Sequence, residues 1–181
     1  MSRHVRCALA LSLGLGIAGC SHKKVEITQS FTMTPGPIER LTVFISMPEG
    51  RDYGVYPGFK RVMTSELAAC KVASQVFVGL PPEASDAAAP STRDPQLVVK
   101  ARYGVLESTK VVNQRGALLD DKGVTNVKAD FWMELREPPQ DRVSWRAFAK
   151  MESDPGSGGG EAFAESIVAR LKSDGVLHGC R

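Results

Sequence analysis

The stretch Val127–Met151, VKADFWMELREPPQDRVSWRAFAKM, alternates apolar and polar residues on both sides of a proline pair. Val127, Ala129, Phe131, Met133 and Leu135 share one face, with Lys128, Asp130, Glu134 and Arg136 opposite. Val143, Trp145, Ala147, Ala149 and Met151 repeat the pattern, with Ser144, Arg146, Lys150 and Glu152 opposite. A period of two belongs to a strand with one buried face. Pro138-Pro139 interrupts the run, so the stretch predicts an antiparallel hairpin. A hairpin joined by five residues sets Trp132 directly across from Phe148, both on the polar side.

A third alternating segment precedes it, with Leu97, Val99, Ala101, Tyr103 and Val105 on one face. Val98 and Leu106 then fall on the side of Trp132 and Phe148. The connection spans Asn113 to Gly123, and Asp120-Asp121-Lys122-Gly123 reads as its turn. Farther upstream, Leu41 to Ser46 (LTVFIS) is a β-prone run that predicts a buried strand. Ser74 to Val78 predicts a short strand, and Leu80 to Pro95, rich in Pro, Ala, Ser and Asp, a surface loop. Val25, Ile27, Phe31 and Met33 alternate with polar residues until Pro35-Gly36-Pro37, which leaves an edge strand or an extended linker open.

Two segments carry helical spacing. Phe59, Val62, Met63, Leu67 and Cys70 form one face of a helix from about Gly58 to Cys70, with Pro57 suited to its first turn. Phe163, Ala164, Ile167, Val168 and Leu171 form the stripe of a second, from about Glu161 to Asp174. Glu161 and Glu165 sit near its positive end, Arg170 and Lys172 near its negative end. Gly175 is placed for a left-handed cap with Val176 folding back. Ser153 to Gly160 reads as a flexible loop ahead of it. The fold class is therefore α+β: a two-layer sandwich, a mostly antiparallel sheet of about five strands with two helices packed on one face.

The start of the chain has a different character. Arg3, His4 and Arg6 precede an apolar run, Ala8 to Ala18, which is too short to span a bilayer. Ile17-Ala18-Gly19-Cys20 closes it and resembles the lipobox of bacterial lipoproteins. The resemblance implies a signal peptide over residues 1–19, cleavage before Cys20, and a diacylglyceryl group on the Cys20 thiol. Residues 20–40 then hold the lipidated tether and the edge strand or linker, and residues 41–181 a single α+β periplasmic domain. Ser21 stands where the enterobacterial sorting rule places a retaining aspartate, so the resemblance implies the outer membrane, on its periplasmic face. Without the signal the chain holds 21 Lys and Arg against 20 Asp and Glu, a balance that gives a nucleic-acid partner no support.

Of the four cysteines, Cys7 leaves with the signal and Cys20 carries lipid, so Cys70 and Cys180 are the candidates for a disulfide. If the two helices lie parallel on the sheet, the ends that carry these cysteines meet. The competing reading is one buried and one free thiol.

Motifs for chemistry fail one after another. Gly156 to Gly160 lacks the Lys-Ser/Thr of a phosphate loop, and Asp120-Asp121 lacks the spaced ligands of a calcium loop. No Gly-x-Ser-x-Gly elbow exists, and His178 has no evident Ser or Cys partner. Expected, then, are no catalytic residues, no metal and no cofactor. The remaining candidates are a binding surface at Trp132 and Phe148, joined by Tyr53 and Tyr56 from the Pro48–Gly58 loop. A blander reading has the N-terminal segment or a loop covering the aromatic face.

The segment Glu165–Leu177 after Ser144-Trp145-Arg146-Ala147 resembles the C-terminal half of small periplasm-facing lipoproteins. The order of elements is similar to that of the lipopolysaccharide-assembly lipoproteins of the LptE family and the lipid-transport auxiliary lipoproteins of the PqiC family. The resemblance implies a non-catalytic envelope lipoprotein, membrane-held through its lipid, that docks an envelope protein. A lipid ligand, in a phospholipid or lipopolysaccharide transport system, is the alternative.

Overall fold

The computed structural model describes residues 23–33, 36–47, 54–80, 94–112, 118–138, 142–154 and 158–180. The expected signal, Cys20, Tyr53 and most of the Leu80–Pro95 loop lie outside them. The elements run β1 (Lys23–Thr32), β2 (Arg40–Ser46), α1 (Val55–Ala69), β3 (Ala73–Val78), β4 (Gln96–Val112), β5 (Leu118–Glu137), β6 (Arg142–Ser153) and α2 (Gly159–Ser173).

One six-stranded sheet collects the strands in the order β1-β6-β5-β4-β2-β3. The expected count of about five is corrected to six: β1 is an edge strand, paired antiparallel to β6. β6, β5 and β4 form the expected antiparallel meander. β2 lies parallel to both β4 and β3, which needs a crossover, and α1 supplies it between β2 and β3. Parallel pairing is why LTVFIS reads as a near-continuous apolar run.

Both helices cover the same face. Leu41, Val43 and Ile45 of β2, Leu97 and Val99 of β4, Phe131, Met133 and Leu135 of β5 and Trp145 of β6 form one cluster with the stripes of α1 and α2. At its centre the Phe163 ring lies 4.4 Å from Phe131 and 5.8 Å from Phe59. Each such side chain, fully buried, contributes about 1.5–3 kcal/mol.

The helices run parallel, because contacts between them occur in the same order along each. Gly160 lies against the Val55 carbonyl, Arg61 pairs with Glu161, Lys172 Nζ is 3.3 Å from Glu66, and Cys70 is bonded to Cys180. The disulfide joins residues 110 apart, a loop worth about 4–5 kcal/mol in the chain-entropy account. Ser153–Gly160 is therefore corrected in part. Gly159 and Gly160 belong to α2, and both are buried. A Cβ on Gly160 would stand 2.0 Å from the Val55 oxygen, so this glycine permits a close helix contact rather than a hinge.

Three other corrections come from strand register. In β1 a bulge between Ile27 and Gln29 flips the alternation. Val25 and Ile27 pack on the core, while Phe31 and Met33 are exposed, so these four residues do not share a face. In β4 a shift between Ala101 and Tyr103 leaves Ala101 opposite Phe131 but sets positions 103 and 105 opposite Asp130 and Lys128. The expected turn at Asp120–Gly123 is not one: these residues continue β5, with Asp120 and Asp121 paired to Val111 and Lys110. Cross-strand pairing, loosened by register shifts, overrides the local turn preference there.

Both helices end in the same way. Val176 N–H donates to the Leu171 carbonyl at 2.9 Å across a left-handed Gly175, as the sequence suggests. Val72 N–H donates to the Leu67 carbonyl at 2.9 Å across a left-handed Lys71.

Candidate interaction surface

The face of the sheet opposite the helices carries the residues singled out from the hairpin. Trp132 and Phe148 are paired across β5 and β6, as the spacing requires. Their rings meet edge to face, 4.3 Å apart with 83° between planes. Such a pair contributes about 0.5–1.5 kcal/mol beyond its buried area. The Arg146 guanidinium lies 4.8 Å from the Trp132 centroid, and that of Arg102 lies 5.7 Å from the Phe148 centroid. Both are within cation–π reach.

Beside the aromatic pair sits an acid with little access to water. Glu134 is 7% exposed. Its Oε1 accepts Nε and Nη2 of Arg146 at 3.0 and 2.7 Å, and its Oε2 accepts those of Arg136 at 3.2 and 2.9 Å. Burial by itself raises the carboxyl pKa, but hydrogen bonds from Trp132, Arg136 and Arg146 outweigh it and hold the pKa below the usual 4.5. The acid thereby locks the guanidinium that lies on Trp132.

Register extends this arrangement into a row across all six strands: Phe77, Phe44, Val98, Glu134, Arg146 and Phe31. Phe44 and Phe77 stack at 5.5 Å. Phe44 is 3% exposed, Phe77 38% and Phe31 55%. Apolar rings thus flank a central ion cluster. The sequence reading missed Phe31, Phe44 and Phe77 as members of this face. Their signal was weak, since Phe31 depends on a bulge and the other two on a parallel register. A cleft of about 280 Å³ opens at the far end of the same face, between Lys24, Lys128 and Lys150 and the acids Glu26, Asp130 and Glu152. Equal numbers of opposite charges give it no net pull on an ion.

The other candidates part company with this surface. Tyr56 is corrected: it is a core residue, and its hydroxyl oxygen accepts the Met47 N–H at 2.8 Å. Cys70 is buried and bonded to Cys180. His178 is exposed at the C-terminal end. Among the described residues no group of three or more His, Cys, Asp or Glu is placed to hold a metal, and no helix is long and apolar enough to cross a membrane. Guanidinium, indole and phenyl groups fixed on a sheet can bind a partner.

The class that fold and site define is an α+β sheet with one helix-covered face and one aromatic, cationic face. No protein-family model matches the chain, and no curated protein matches its sequence. Among solved structures it is similar to the PelC dodecamer from Paraburkholderia phytofirmans, at 17% identity and a TM-score of 0.43, over 84% of this chain and 96% of that one. It is also similar to a minor lipoprotein from Acinetobacter baumannii, at 8% identity and a TM-score of 0.39, over 77% of this chain and 95% of that one. Likenesses this distant assign no function.

Proposed function

We propose that the chain is a non-catalytic envelope lipoprotein, held to the periplasmic face of the outer membrane through an acylated Cys20, whose sheet docks an envelope protein. The anchor and address rest on the lipobox-like Ile17-Ala18-Gly19-Cys20. The observation that carries the docking function is the Trp132–Phe148 pair under two guanidinium groups, on the face that neither helix covers. Tryptophan and arginine held rigid in this way are the residues that dominate binding energy at interfaces. The matching partner surface offers apolar side chains to the rings and carboxylates to Arg102 and Arg146. The helix side supports the docking reading over lipid transport. Phe59, Phe131, Phe163 and Trp145, all at 0% exposure, fill the layer where an acyl chain would need room.

The test is photocrosslinking in the living cell from position 132, with adducts identified by mass spectrometry. One recurrent envelope-protein adduct is the expected result. A phospholipid or lipopolysaccharide adduct would replace docking by lipid handling, and no adduct at all would remove this face from the function.

A further inference from the structure

The sheet ends in β1 on one side and β3 on the other, and the two edges are built differently. β1 carries Lys23, Lys24 and Glu26 and is bent by the bulge between Ile27 and Gln29. Charges and bulges keep a strand edge from pairing with another chain. β3 has neither. The run Ala73–Leu80, ASQVFVGL, holds no charged residue. Its register against β2 runs without a shift, from Ala73 opposite Arg40 to Val78 opposite Ile45. Its far end is apolar and open: Phe77, Val78 and Leu80 are 38%, 59% and 48% exposed.

Hydrogen bonds decide what can sit on this edge. Ala73 N–H donates to the Glu39 carbonyl and Gly79 N–H to the Ile45 carbonyl, both toward β2. Alternate residues of a strand turn the same way, so Gln75 and Phe77 also face β2 with their backbone groups. The N–H and C=O groups of Ser74, Val76 and Val78 therefore point away from the sheet, at steps of about 6.6 Å. Among the described residues no strand lies beyond them. Donors and acceptors repeated in this way are matched by an extended backbone, not by a helix or an acyl chain. Side chains set the rest. Val78 shares the side of Val76, a core residue, while Phe77 is on the opposite side, stacked on Phe44. A strand laid here meets apolar groups on both of its sides and no charge.

Phe77 also joins this edge to the docking face, since Phe44, Val98 and Glu134 continue its row to the acid beside Trp132. We infer that the partner docked over Trp132 also adds an extended, uncharged, apolar segment to the sheet as a strand beside β3. This rests on the docking reading above. Other occupants match the edge less well. Residues 81–93, next in the chain, include Pro81, Pro82 and Pro90, which have no N–H to give, and the acids Glu83 and Asp86. A second copy paired two-fold about Val76 would set apolar Val78 against Ser74. The β1 edge of a second copy would bring its charges and its bulge.

The test places the photoreactive residue at position 78 of the full chain in the living cell, in parallel with position 132. Both positions are expected to give the same envelope-protein adduct, and the link from position 78 to map to one uncharged apolar peptide of that protein. Two substitutions, read as adduct yield from position 132, separate backbone from side chain. Val78→Pro removes an N–H that β2 does not use, whereas Val78→Ala keeps it. Proline should lower the yield about tenfold and alanine less than about threefold. The urea midpoint of each purified variant reports folding, and Ser74→Pro repeats the test at the other end of the strand. Equal yields from the proline and alanine variants overturn strand addition. A partner adduct from position 132 with none from position 78 overturns the edge contact and leaves docking standing. A link from position 78 to residues 81–93 or to a second copy assigns the edge to this chain and overturns the partner strand. No partner adduct from either position overturns the docking reading itself.

Discussion

The two faces of the sheet are made from alternate residues of the same strands, yet they solve different problems. On the helix side, Phe131, Met133 and Trp145 are at 0% exposure and meet apolar neighbours. On the other side, Trp132 and Phe148 are half-buried among guanidinium groups, and the buried acid Glu134 is matched on both oxygens. The first face gains by removing apolar area from water. The second holds apolar rings in a fixed pose without hiding them fully, which gains less from burial and suits binding. If that division is right, truncations on the two faces should separate stability from partner capture.

The largest effect is expected at Phe163. Phe163→Ala empties the centre of the layer, where two other rings meet it, and should lower unfolding free energy by about 3–5 kcal/mol. Urea denaturation measures this. Trp132→Ala should lose far less stability while removing the crosslinked partner. A loss at Trp132 equal to that at Phe163 would erase the distinction between the faces.

Gly160→Ala comes next. The added carbon meets the Val55 backbone, which cannot rotate away as a side chain would, so α1 and α2 must separate. The expected loss is about 2–3 kcal/mol by urea denaturation, as for overpacking in a tight contact. A loss below about 0.5 kcal/mol, ordinary for a surface change, would mean that the helices have slack between them.

How far such positions are legible from sequence depends on what fixes them. The covered face was legible because period-two and helical stripes converge on one core, and the end of α2 because Gly175 stands one position beyond the helical pattern. The Trp132–Phe148 pairing was legible because short-hairpin register follows from loop length. Gly160 was not, because a run of glycines before a helix has the composition of a flexible loop, and only the partner helix shows why a side chain is forbidden. Phe31 was placed on the wrong face because one inserted residue in β1 leaves the polarity pattern almost intact. Asp120–Gly123 has every local preference for a turn and is overruled by pairing with a strand more than eight residues away.

Acid probes the outer face through Glu134. Because the Glu134 pKa is depressed in the folded chain, its ionic contacts stabilise the fold fully above the ordinary glutamate range. That contribution is lost as pH falls below 4.5 and through the folded value. Glu134→Gln should lower stability by about 1–2 kcal/mol at neutral pH, a figure reduced for the half-exposed arginines. It should also flatten the fall in urea midpoint as pH drops below 4.5. An equally steep acid limb in the variant would place the sensitive carboxylates elsewhere.

The smallest expected effect is a gain, and it lies where the two helices use one closing motif with different residues. Gly175 takes φ 70° without penalty, whereas Lys71 takes φ 62° with a Cβ crowding its own backbone. The penalty for such a residue is about 1–2 kcal/mol. Lys71 is nevertheless held there by the 2.9 Å bonds that cap α1, by buried Val72 beyond it, and by the disulfide from Cys70. Lys71→Gly should remove the strain. Because glycine also enlarges the unfolded ensemble, the net gain should be about 0.5–1 kcal/mol. It is read as a higher urea midpoint at unchanged slope. Lys71→Ala separates backbone from side chain, since alanine keeps the Cβ and loses the amine. A gain from glycine alone assigns the cost to the left-handed turn; equal gains from both would assign it to the lysine.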